Sequence, residues 1–137
     1  MKILTFRLGQ FAVAALFITV LFRYALHISI GAGNWVGNSL CSIVYFVLMF
    51  FIGWYFGKKD YADNGIHDIG FRFHITTYIV CIGLGFLLYY VGWNTETPGS
   101  MTITALSWGI GLLVHFILFL MEQKRTIKGY AKDEIFE

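Results

Sequence analysis

Four apolar stretches separated by short polar breaks, at about 8–30, 35–57, 73–93 and 101–121, leave this chain few ways to fold. Each is close to the ~20 residues that a helix needs to cross ~30 Å of hydrocarbon. The composition agrees, because 58% hydrophobic, 19% aromatic and only 13% charged residues would give a soluble fold of 137 residues too little polar surface to cover itself. The sequence therefore predicts an all-α, integral membrane four-helix bundle, a single transmembrane domain over 1–137 with a tail at 122–137. No Pro-rich or Ser-rich linker and no low-complexity run divides it.

Charge sets the expected orientation. Lys2 and Arg7 precede the first segment, Lys58, Lys59 and Arg72 fall around the second break, and Lys124, Arg125, Lys128 and Lys132 follow the fourth segment. The breaks on the other side, 31–34 and 94–100, contain neither Lys nor Arg. Basic residues flanking membrane helices favour the cytoplasmic side, so both termini are expected there, in a multi-pass protein of a cell inner membrane. The net charge of +2 is then explained by orientation, and no nucleic-acid role is assigned. The first segment is too long for a signal-peptide core and lacks a small-residue cleavage pattern, so it is expected to remain as a helix. Trp35 and Trp93 mark the outer boundary, and Trp54, Tyr55 and Tyr61 the inner one, where amphipathic rings favour the headgroup level. Trp108 lies within the fourth segment and reads as a packing residue.

Helices in lipid associate through close backbone approach and polar contacts rather than by hiding apolar surface. Gly53 and Gly57 have small-xxx-small spacing, and Gly83 and Gly109 fall at similar depths, predicting a close hairpin between the third and fourth helices. Polar residues recur at helical spacing: Thr19, Arg23 and His27; Asn38, Ser42 and Tyr45; His74, Thr77, Tyr78 and Cys81; Ser107 and His115. Four such stripes imply a shared interior, in which they either fix the packing or line a ligand or ion path.

Arg23 is the most costly of these, because the four spans contain no Asp or Glu. It is expected to snorkel outward, toward Glu96, or to hold an anion together with His27. His74 and His115 raise the question of haem or metal, since imidazole is the usual nitrogen ligand of bundle cofactors. Counting along the segments offsets the two by roughly 7 Å in depth, which argues against a simple pair. Asp60, Asp63, His67 and Asp68 supply possible divalent-ion donors in the inner loop, but at no recognised ligand spacing. Cys41 and Cys81 lie within helices and form no CxxC arrangement. GxSxG, HExxH, P-loop and GxGxxG patterns do not occur, so no catalytic residues are assigned.

FRFHITTY at the third segment and SWGIGLLVH in the fourth resemble the signature of the bacterial two-transmembrane domain family, over about residues 70–125. The matching positions are Phe73, His74, Tyr78, Trp108, Gly109, Ile110, Gly111, Leu112 and His115. The resemblance implies a small membrane module, in that family sometimes attached to sensor kinases or regulators. Two additional segments in front and no signalling domain within these 137 residues depart from that pattern. The expected function is a non-enzymatic sensory, accessory or assembly subunit with a protein partner or a second copy, contacted at the inner loop or tail. The alternatives are a haem- or metal-binding redox subunit using His74 and His115, and a small anion transporter or channel using Arg23, His27 and Tyr78.

Overall fold

The computed structural model describes residues 4–65, 70–93 and 96–129, the residues after Met121 as backbone except for Lys124. The described residues form four helices: α1 (Phe6–Gly31), α2 (Trp35–Asn64), α3 (Phe71–Tyr90) and α4 (Pro98–Gly129). Each contains a stretch long and apolar enough to cross a membrane. The limits differ from the sequence reading because local caps, not hydropathy, end a helix. α2 runs seven residues past Gly57 to Asn64, so Lys58 and Lys59 belong to its last turns rather than to a loop. It stops where Gly65 takes the left-handed conformation, φ 62°, and its N–H bonds to the Tyr61 carbonyl. α4 begins at Pro98, whose missing N–H costs nothing at a first helical position, while the Thr97 hydroxyl accepts the Ser100 N–H at 3.2 Å.

The α1–α2 turn is specified side chain by side chain. Gly33 at φ 65° reverses the chain. Asn34 caps α2 by accepting the Gly37 N–H at 2.9 Å, and the Ser29 hydroxyl donates to the Asn34 carbonyl at 3.0 Å. A Cβ on Gly37 would lie 2.4 Å from Ser29 Oγ, so this helix start tolerates only glycine without rearrangement.

α1 packs against α2 and against α3, and α4 packs chiefly against α3, giving the lateral order α2–α1–α3–α4. α1 is the interior helix, burying Leu8, Phe11, Ala15, Thr19, Arg23 and Leu26. Phe11 sits edge-on to Phe73 of α3, ring centroids 5.0 Å apart, and to Phe56 of α2 at 6.3 Å. Higher up, Phe22 stacks on Tyr45 at 4.2 Å, and the Tyr45 hydroxyl lies 3.0 Å from that of Thr19, which donates to the Ala15 carbonyl. In contrast, α4 buries only Met101 and Phe119 among the residues described with side chains, and most of its apolar stretch is exposed. The bundle is thus open, with α2 and α4 at its two edges.

Candidate functional site

Polar side chains collect at three places. At the end opposite the termini, Arg23 of α1 is 7% exposed and ion-paired with Glu96 from the α3–α4 connection. Its Nη2 donates to the Cys81 carbonyl at 3.2 Å. The slot exists because residue 85 is glycine: a Cβ there would stand 2.6 Å from Nη2. Arg23 Nε and the Nδ1 of half-buried His27 have no hydrogen-bond partner among the described residues. Arg23, Tyr24, His27, Leu88 and Trp93 close around this point so tightly that no volume for a water molecule is left. The guanidinium charge is occupied by Glu96, so the geometry is that of a sealed clamp tying α1 to α3 and to the loop, not of an open anion port.

The second place lies between α3 and α4. His74 and His115 have ring centroids 4.7 Å apart, and His115 also stacks on Phe71 at 5.8 Å. The depth offset expected from the sequence is absent, because α3 ends at Tyr90 and α4 starts at Pro98, each three residues from its predicted limit. From those ends His74 lies 16 residues in and His115 lies 17, which brings the rings level. Tyr78 Oη donates to the Ala105 carbonyl at 3.1 Å, and Trp108 meets the Tyr78 ring edge-on at 5.9 Å. The hairpin is close at Gly109, where a Cβ would lie 3.6 Å from Tyr78 Oη, and not at Gly83, where it would meet nothing within 4 Å. Tyr78→Phe is expected to loosen this contact by about 0.6 kcal/mol, with ~1.7 as the upper bound for such bonds in lipid, read as a shift in unfolding midpoint in bicelles.

The third place is the end that carries the N-terminus. Asp60, 1% exposed near the end of α2, accepts from Arg72 Nη2 at 2.6 Å and from Asn64 Nδ2 at 2.9 Å. Arg7 Nε bonds Asp63 at 2.6 Å, joining α1 to α2. Two of the four donors proposed for a divalent ion are therefore engaged by arginines, while His67 and Asp68 lie outside the described residues. Among the described residues no three His, Cys, Asp or Glu side chains converge on one point.

The four polar stripes do not share one interior. Thr19, Tyr45, Arg23 and Cys81 are buried together around α1, whereas Ser42 and Ser107 are exposed and Thr77 bonds back to the Phe73 carbonyl within its own helix. Asp60 with Arg72 was not legible as a pair from the sequence. A carboxylate twelve residues before an arginine across a helix break is the only signal the sequence offers.

An open array of four membrane-spanning helices with polar clamps at its ends defines a multi-pass membrane protein. Comparison of the chain with known protein families, with curated proteins and with solved structures finds no match.

Proposed function

We propose that the protein is a non-enzymatic membrane subunit, sensory, accessory or assembly in role, that works by holding a partner helix, from another protein or a second copy, against α4. The observation that carries this reading is the contrast between the helices. α1 is the packed interior of the array, while α4 buries only Met101 and Phe119 among the residues described with side chains and is tied in along one side, through Tyr78, Trp108, the histidines and the contacts of Phe116 and Phe119 with Phe71. Gly111, where a Cβ would meet nothing within 4 Å, and exposed Ile110 leave room for the close helix approach that drives association in lipid. The resemblance of residues 70–125 to the two-transmembrane domain family supports treating α3 and α4 as the module that engages the partner, with a bacterial inner membrane as its setting and both termini cytoplasmic. The tail beyond α4 offers a second, soluble contact. A photo-crosslinking residue at Ile110 is expected to give a discrete protein adduct in native membranes, with little or none from Leu40 of α2. Only lipid adducts at both positions would overturn the reading.

The closeness of His74 and His115 supports a second reading, a histidine-held metal or haem. Imidazole nitrogens on opposite faces of a haem iron stand about 4 Å apart, twice a metal–nitrogen bond, and the ring centroids are farther apart by both ring radii. The 4.7 Å between these centroids is short of that, so a small ion held at the edge of the pair fits better than a haem between the rings. Metal analysis and an absorption spectrum of the purified protein test this reading. A stoichiometric metal lost in His74→Ala and His115→Ala supports it, and a metal retained in both rejects it.

A further inference from the structure

Because α2 and α4 sit at the edges of the array, a cleft of about 770 Å³ opens between them, floored by Phe11 and Phe73 and walled by Met49, Trp54 and Trp108. Along α2 its lining runs from Tyr45 to Lys58, thirteen residues, or roughly 20 Å of helix. A groove of this length, lined mainly by apolar and aromatic side chains, suits extended hydrocarbon.

The glycines of α2 are what hollow it. Gly53 and Gly57 both line the cleft, and a Cβ would meet only the Phe11 ring at 3.9 Å from the first and nothing within 4 Å from the second. Their small-xxx-small spacing does not bring two helices together here. An alanine would fit at either position and would favour the helix by ~0.5–1 kcal/mol, so packing gives no reason for glycine, while an open groove does.

The two ends of the cleft differ in charge. At the mid-membrane end the Tyr45 hydroxyl is taken up by Thr19. At the other end stand Lys58, the Gly70 backbone and His74. The Lys58 ammonium lies 5.9 Å over the Trp54 ring and has no carboxylate partner among the described residues, since Asp60 and Asp63 are held by Arg72 and Arg7. The mouth is therefore cationic, at the level where headgroups lie on the side of the N-terminus. Basic pockets between membrane helices select anionic lipid headgroups.

We infer that this cleft is a binding site for an anionic phospholipid of that leaflet, one hydrocarbon chain lying between α2 and α4 along Gly53 and Gly57 and the phosphate held at Lys58. Trp54 and Trp108 line the cleft, so with the exposed Trp35 and Trp93 replaced by phenylalanine the site reports its own occupancy. The test is quenching of tryptophan fluorescence in bilayers doped with brominated-chain phosphatidylglycerol or with brominated-chain phosphatidylcholine, on the full chain and two variants. Wild type should prefer the anionic lipid about fivefold, the factor that one lysine at a membrane surface supplies. Lys58→Gln should remove the preference, and Gly57→Leu, whose Cβ would meet nothing within 4 Å and whose longer side chain would occupy the groove, should remove it together with the cleft's share of the quenching. Equal quenching by both lipids in wild type overturns the inference. So does a preference that survives Gly57→Leu, because the lipid would then be held by surface charge and not in the groove.

Discussion

Replacing Arg72 by methionine is expected to destabilise the protein by about 3–5 kcal/mol, the range for removing one partner of a buried ion pair. Asp60 is 1% exposed, and without Arg72 its carboxylate would retain only the Asn64 amide among the contacts the structure gives it. In a low-dielectric surrounding that is too little to offset lost hydration. The charge is also placed where it matters mechanically, since Asp60 is in the last turns of α2 and Arg72 in the first turn of α3. This pair and the α1 contacts of both helices fix how α3 leaves the membrane interface. The double change Arg72→Met with Asp60→Leu should recover most of the loss, because an apolar pair of similar volume removes the uncompensated charge. Unfolding midpoints of the single and double variants in the same detergent check both statements. A double variant no better than the single one would mean that the ion pair itself, and not the stranded charge, carries the stability.

At the opposite end, Glu96→Gln should cost roughly 3 kcal/mol, the lower end of the same range, because Glu96 retains a fifth of its side-chain exposure. The asymmetry of the clamp makes a sharper prediction than the magnitude. Arg23 is 7% exposed, its Nε already lacks a partner among the described residues, and only neutral acceptors, the Cys81 carbonyl and the new amide oxygen, would face the guanidinium. Arg23→Met leaves the opposite remainder, a carboxylate near the boundary that can reach water. Glu96→Gln should therefore be the more damaging single change, and Arg23→Met should rescue it. Equal effects of the two single changes would place Arg23 in contact with water instead of in the sealed slot above Gly85.

Much of this architecture is legible in the residues. Four hydropathic stretches imply four helices, and a lone arginine in spans without a single acid points to a carboxylate in the adjoining loop, which is where Glu96 lies. What the sequence leaves out is which face each helix turns toward which neighbour. Gly53 and Gly57 read as a helix contact because the spacing allows one, yet they face the cleft between α2 and α4. The level of His74 with His115 depends on helix ends set by Thr97, Pro98 and the close of α3 at Tyr90, three residues each, and hydropathy does not resolve such limits. Ser107 has the composition of an interior position and is exposed, because α4 touches the array along one side only. A polar stripe gives a direction only when the order of the helices is known, and that order comes from packing.

The arrangement stands on four crossings with both ends of the chain on one side, and labelling of single cysteines with a membrane-impermeant thiol reagent tests it most directly. In a background lacking Cys41 and Cys81, cysteines at Leu4, Gly65 and Lys124 should react only from the cytoplasmic side of sealed vesicles. Cysteines at Gly33 and Gly92 should react only from the other. Labelling of Gly33 and Gly65 from the same side would contradict the account.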